Sequence, residues 1–295
     1  MEFEVQSQFK SQPPKERSPE YAKTLVELEQ ILGASKEERQ EYIEKRIATL
    51  TENSESGEIS HMGCDSHKGF LGPKMEIRRS LRFDPFVMDD PDLYIDLFEA
   101  IQKFREADDW KEQPLGTIVP RAIQWSLSKY FGNIIAGSNT EMQNRKFYID
   151  HLSVDSLPIS IKEFKGKKFA VCVEKAAAAQ NLLAFVGIES ELIVATGCCI
   201  PVEAEVEEEA HCYILIHGTK GDKIYDPSNP KLILDKDGEL TSYKPAIYPI
   251  TEEQSQYLIS GKSVTIEHED ETIDENGQLI PDKSSRCYNG PRQNK

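Results

Sequence analysis

The stretch HCYILIHGTKGDKIYD, residues 211 to 226, leaves the chain little freedom. Two runs rich in β-branched and aromatic residues flank Gly218-Thr219-Lys220-Gly221, and a glycine-bounded turn between such runs signals a β-hairpin. With Thr219 and Lys220 as the loop residues, Gly218 pairs with Gly221, and counting outward sets Tyr213 opposite Asp226. Side chains alternate between the faces of a strand, so residues 211, 213 and 215 share one face while 212, 214 and 216 share the other. A slip of one residue would invert every side chain. In this register His211 and Asp226 lie on one face, about two residues apart across the ladder, and can hydrogen-bond without a special loop.

Upstream of the hairpin, ELIVA (191–195) reads as a further strand, and KKFAVCVEKAAAAQNLLAFVGIES (167–190) contains a helix over 171–186. Ala176, Ala179, Leu183 and Val186 form one apolar stripe, and Gly187 follows as a left-handed stop. Cys172 opens that helix. The first turn offers unpaired N–H groups and the positive end of the macrodipole, and both favour a thiolate. Lys162, Lys165, Lys167 and Lys168 are expected to add positive charge, partly opposed by Glu163 and Glu174.

The rest of the chain divides by pattern. Residues 1–20 are polar, carry a Pro pair and are expected to be loosely ordered. Leu25, Leu28, Ile31 and Leu32 recur at helical spacing, Gly33 stops them, and Ser35 begins a second stretch through Tyr42, Ile43, Ile47 and Leu50. Residues 21–73 thus read as a helical hairpin followed by a Gly/Ser-rich linker over 51–73. A core is expected over 74–268, with helices after Asp89 or Asp90 and over 119–131, strands in SYKPAIYPI and KSVTIEHE, and a short helix near 254–258. Residues 269–295 read as an acidic, then irregular, tail. One helix on an antiparallel sheet is an α+β plan.

Charge excludes some functions. The chain has 35 basic and 51 acidic residues, a net charge of -16, which disfavours nucleic acid and anionic membrane as partners. The N-terminus lacks the apolar core of a signal peptide and no run reaches transmembrane length, so a cytoplasmic location is expected. Six cysteines scattered over 295 residues read as free thiols rather than a disulfide framework.

Cys172, His211 and Asp226, in that order, carry a resemblance. A helix that begins with cysteine and ends LLAFVGI, a strand, a histidine opening a second strand and an aspartate in YDP on a third resemble the transglutaminase-like superfamily of papain-like cysteine enzymes. The separations, 39 residues from Cys172 to His211 and 15 from His211 to Asp226, suit it, and the match covers roughly residues 160–230. The resemblance implies a papain-like α+β core, Cys172 as nucleophile, His211 as general base and acid, Asp226 as the group orienting the imidazole, and no cofactor. It implies attack on an amide through a thioester, with hydrolysis of a peptide or glutamine side-chain amide favoured. Amine transfer to a lysine and a non-catalytic scaffold retaining the fold are the alternatives.

Other motifs are weaker. Cys198-Cys199 with His211-Cys212 lacks the spacing of a zinc site, and HMGCDSH (61–67) lacks a fourth ligand, so no metal is expected. EAEVEEE (203–209) is either a solvated run or an acidic rim beside His211. The backbone N–H of Cys172 is one expected oxyanion donor; Gln124 and Trp125 are candidates for the second. A protein or peptide substrate is expected, and the N-terminal helices could contact a protein partner.

Overall fold

The computed structural model describes residues 19–52, 57–63, 77–88, 90–108, 110–135, 138–152, 158–199, 209–218, 221–234, 240–273 and 279–291. The chain begins with the expected helical hairpin, α1 (Pro19–Leu32) and α2 (Lys36–Thr51). Ser35 ends the connection as a capping box, its Oγ accepting from Glu38 N at 3.2 Å while Glu38 Oε2 accepts from Ser35 N at 2.8 Å. β1 (Gly57–Gly63), β2 (Ile77–Phe83), α3 (Pro91–Glu106), α4 (Leu115–Phe131), α5 (Ser138–Leu152) and β3 (Ile159–Ser160) follow. The second half runs α6 (Cys172–Phe185), β4 (Ser190–Cys199), β5 (Glu209–Ile216), β6 (Lys223–Leu234), β7 (Leu240–Pro249), α7 (Glu252–Ile259), β8 (Ser263–Ile273) and β9 (Leu279–Asn289). The class is α+β, as expected.

α6 is the pivot. Small residues, Ala176 to Ala179, let neighbours approach on every side, and Leu182, Leu183 and Phe185 complete its burial. A helix apolar all round belongs in the middle of a fold. One side of α6 meets α3 and α4, the other lies on β4, β5 and β6. Its C-terminus ends at Gly187 with φ 77°, where Ile188 N reaches back to Leu183 O at 2.8 Å. Arg46 of α2 donates from Nε to the Phe185 carbonyl at 3.1 Å, which ties the N-terminal hairpin to the helix that carries Cys172.

The larger sheet closes on itself. β5 pairs with β4, β4 with β9, β9 with β8, β8 with β6, and β6 returns to β5, with β7 flanking β6. All these pairings are antiparallel except the short β6–β8 contact. The ring separates two apolar regions. Cys212, Ile214 and Tyr225 face α6 and join the helical core. Tyr213, Leu215 and Ile224 face the other way, into a second core with Tyr248, Leu258, Val264 and Tyr288. The hairpin register is the expected one: Ile214 pairs with Tyr225, Leu215 with Ile224 and Ile216 with Lys223, so counting on by one sets Tyr213 against Asp226.

Three expectations require correction. Within the 51–73 linker, residues 57–63 form β1, paired along its length with β2; the Ser- and Gly-containing sequence masked a strand whose partner lies beyond residue 76. The tail is no tail: residues 279–289 form β9, placed between β4 and β8. Its polar sequence hides this because long-range pairing, not local apolar alternation, holds it. Helix α5, whose sequence SNTEMQNRKFYIDHL has no continuous apolar stripe, was not expected at all; it turns Asn144 and Tyr148 inward, both fully buried.

The ring also imposes a close approach at Gly290, just after β9. Its N–H donates to Lys262 O at 3.1 Å, and an added Cβ would stand 2.8 Å from Gly261 Cα and press on the Leu258 carbonyl. Those are backbone atoms and cannot swing aside. Gly290→Ala is therefore expected to destabilise the fold by about 1–3 kcal/mol, measured as a lower urea midpoint; an unchanged midpoint would contradict this packing of β9 on α7.

Candidate active site

The backbone entering α6 is held residue by residue. Asn144 Nδ2 of α5 donates to Phe169 O at 3.1 Å, and Asn133 Nδ2, after α4, donates to Ala170 O at 2.9 Å. Val171 has no side chain able to cap a helix. Glu174, fully buried on the first turn, takes that role by accepting from Val171 N at 2.8 Å and from Tyr148 Oη at 2.7 Å. Cys172 is thereby fixed as the first helical residue, 8% exposed, where the opening N–H groups lack intrahelical acceptors.

His211 and Asp226 meet as the register requires. His211 Nε2 lies 2.9 Å from Asp226 Oδ2, and the carboxylate is wholly buried. Beyond Asp226 the sequence PSNP breaks the pairing of β6 with β7, a register shift running from Asp226 to Lys231. The released loop folds back on its own carboxylate. Asp226 Oδ1 accepts from Ser228 N at 3.2 Å, Ser228 Oγ at 2.9 Å and Asn229 N at 3.3 Å. Oδ2 accepts from Asn229 Nδ2 at 3.0 Å and Tyr288 Oη at 3.2 Å. Arg286 of β9 locks the loop from outside by donating to Asn229 O at 2.8 Å.

The third member reaches the pair from the helix. The Cys172 sulfur interacts with the imidazole and helps to raise its pKa. Because Nε2 is committed to Asp226, Nδ1 is the nitrogen that remains for proton exchange with sulfur. Burial opposes a charge on His211, but the Asp226 carboxylate and the Cys172 sulfur outweigh it and carry the imidazole pKa well above its ordinary value. Burial likewise opposes charge on Asp226, yet His211, Asn229 and Arg286 hold its carboxyl well below the usual range. The arrangement favours an ion pair.

Two cationic groups that the sequence did not single out act on the sulfur. Arg79 of β2 and Lys175 of α6 both interact electrostatically with Cys172. Arg79, 6% exposed, is aimed by Asn144 Oδ1 at 2.8 Å and Glu141 Oε2 at 2.6 Å. Lys175, 1% exposed, donates to Ile134 O at 2.8 Å, and burial pulls its pKa down to about 8. Lys165, by contrast, is engaged with Asp90 and Asp92. Glu174, opposite in sign, has its pKa raised by burial, partly offset by Arg79.

Sequence reasoning thus named Cys172, His211 and Asp226, and the fold brings all three together. It missed Arg79, Asn133, Asn144, Tyr148, Tyr288 and Arg286, which come from distant elements and carry no local motif. The two oxyanion candidates are engaged elsewhere in the fold. Gln124 spends its amide on Pro227 O at 3.1 Å and on the Tyr225 hydroxyl at 2.9 Å, and so holds the Asp226 loop instead. The Trp125 ring lies under Lys103 and Lys129. Residues 203–208 of the acidic run and 64–67 of HMGCDSH lie outside the described residues. Among the described residues no cluster of three metal-ligating side chains occurs, and no helix is long and apolar enough to cross a membrane. A cavity of 110 Å³ lined by Gly187, Ile188 and His217 sits at the opposite end of α6, roughly 20 Å from Cys172 by helix length.

No protein-family model matches the sequence, and no curated protein is significantly similar to it.

The raised His211 pKa has a consequence for stability. Its contribution is complete below the unfolded imidazole value of about 6.5 and is lost as pH rises through the higher folded value. The difference in urea midpoint between the native protein and His211→Gln is therefore expected to be largest near pH 6 and to shrink toward pH 10. A difference that grows with pH would contradict the ion pair.

Proposed function

We propose that this chain is a cysteine acyl-transfer enzyme built on a transglutaminase-like, papain-like core, acting on a peptide or glutamine side-chain amide. The reading is carried by one observation: a buried 2.9 Å His211–Asp226 pair whose imidazole also engages a cysteine at the head of a buried helix. Three residue types with complementary roles converge from three elements, and an inert core cysteine needs neither partner.

In this mechanism His211 takes the thiol proton through Nδ1, and the Cys172 thiolate attacks the amide carbonyl carbon. The Cys172 N–H, at the first helical position, stabilises the oxyanion. His211 then protonates the departing amine as the tetrahedral intermediate collapses to a thioester. A water deprotonated by His211 attacks the thioester, releasing the acid and restoring the thiol. Asp226 keeps Nε2–H occupied and supports the imidazolium; it does not itself need to take the proton. Lys175 and Arg79 offset the negative charge of Glu174 and leave the sulfur's surroundings favourable to an anion.

The test is incubation with a glutamine peptide, with and without a labelled amine. Ammonia release without label incorporation is the expected result, and Cys172→Ala, His211→Gln and Asp226→Asn should each lower turnover by at least about 10³-fold. Incorporation of the amine would assign transfer instead, and a cut backbone would assign peptidase activity. Turnover that survives Cys172→Ala would assign the chemistry to another group, and no acyl adduct on Cys172 with any amide or ester would leave a scaffold; either result would overturn the reading.

A further inference from the structure

Cys212 has no part in the acyl-transfer chemistry, yet its thiol interacts electrostatically with the Cys172 sulfur. The placement follows from strand alternation. His211 points to the ring interior with Tyr213, so Cys212 must point to α6, where Cys172 opens the helix. Both thiols are free and buried, and both belong to the same apolar core. Their access differs: Cys172 is 8% exposed and Cys212 is 0%.

We propose that Cys172 and Cys212 form a reversible disulfide in response to a hydroperoxide, with Cys172 as the attacked sulfur and Cys212 as the resolving one. The asymmetry in access assigns the roles. A small peroxide reaches the partly exposed sulfur, which His211 keeps ready to ionise; the sealed thiol is protected from solution oxidants and meets only its neighbour. Burial and the Cys172 sulfur raise the Cys212 pKa, so it stays protonated until an electrophilic sulfur stands beside it.

The steps balance. The Cys172 thiolate attacks one peroxide oxygen, the O–O bond breaks, and Cys172 sulfenic acid forms with loss of an alkoxide or hydroxide that takes up a proton. The Cys212 thiol then attacks the sulfenic sulfur; the S–O bond breaks, the S–S bond forms, and the Cys212 proton leaves with the hydroxyl as water. Peroxide is reduced by two electrons and each cysteine is oxidised by one. The sulfurs must close to about 2 Å, by side-chain rotation at a residue that opens α6 and a residue of β5, the strand on which α6 packs. A dithiol reverses the bond. Oxidation removes the proposed nucleophile from use, but the disulfide stands independently of any acyl-transfer activity.

The experiment is peptide mapping of the full chain after hydrogen peroxide treatment and thiol blocking. The expected product is a cross-linked Cys172–Cys212 peptide, with iodoacetamide labelling lost at both positions together and recovered with dithiothreitol, while Cys287 serves as the reference. In Cys212→Ala, dimedone should trap Cys172 sulfenic acid, which then advances to sulfinic acid. The native chain decides the question even if the variant fails to fold. Sulfinic Cys172 beside an intact Cys212 thiol, a bond from Cys172 to Cys198 or Cys199, or no oxidation of Cys172 would each overturn the proposal.

Discussion

A carboxylate with no solvent exposure is the constraint around which this structure is arranged. Asp226 cannot remain charged in the core unless its lone pairs are filled, and removing one partner of such a buried pair typically costs about 3–5 kcal/mol. Ser228, Asn229 and Tyr288 fill part of that requirement, but they are neutral donors. Among the described residues, only the imidazolium of His211 supplies compensating charge in direct contact. The same requirement makes the imidazole basic, and a basic imidazole beside a thiol is what acyl-transfer chemistry needs. In the proposed mechanism, stability and reactivity rest on one interaction.

Positioning that pair beside a sulfur takes the whole molecule. The closed ring of strands turns His211 and Asp226 toward its interior, while α6 lies on the outer face of the same strands. Sulfur and imidazole interact where the first residue of α6 comes near the start of β5. Asn133, Asn144 and Glu174 fix the three residues before Cys172, and β9 contributes Tyr288 and Arg286 from the opposite side of the ring. The residue that faces α6 at that point is Cys212, so a second thiol beside the first is a by-product of the same register. Whether it has been put to use is a separate chemical question.

The hairpin was legible because the physics that sets it is local. Alternation, a glycine-bounded turn and the invariance of register to anything distant were enough to bring His211 against Asp226, and the 2.9 Å contact follows directly. The N-terminal hairpin was legible for the same reason, since Ser35 and Glu38 write a capping box into four residues. The supporting shell was not. Arg79, Tyr148 and Arg286 act across sequence separations from 26 residues to 65 residues and beyond, and a buried arginine on β2 looks in sequence like any arginine on a strand. β9 was read as a tail because its partners, β4 and β8, are set by ring closure rather than by its own pattern. The expectation that Lys165 would serve the thiol failed for a simple electrostatic reason: Asp90 and Asp92 at the start of α3 are nearer to it.

Site-resolved alkylation by iodoacetamide across pH tests the coupling of sulfur to imidazole most directly, with Cys287 as an internal reference. In the native protein Cys172 should react near pH 6 much faster than Cys287 despite its smaller exposure, and His211→Gln should abolish that advantage while leaving Cys287 unchanged. If Cys172 instead follows Cys287 through the titration, or keeps its rate without His211, the sulfur is an ordinary core thiol and the imidazole–carboxylate pair serves the fold alone.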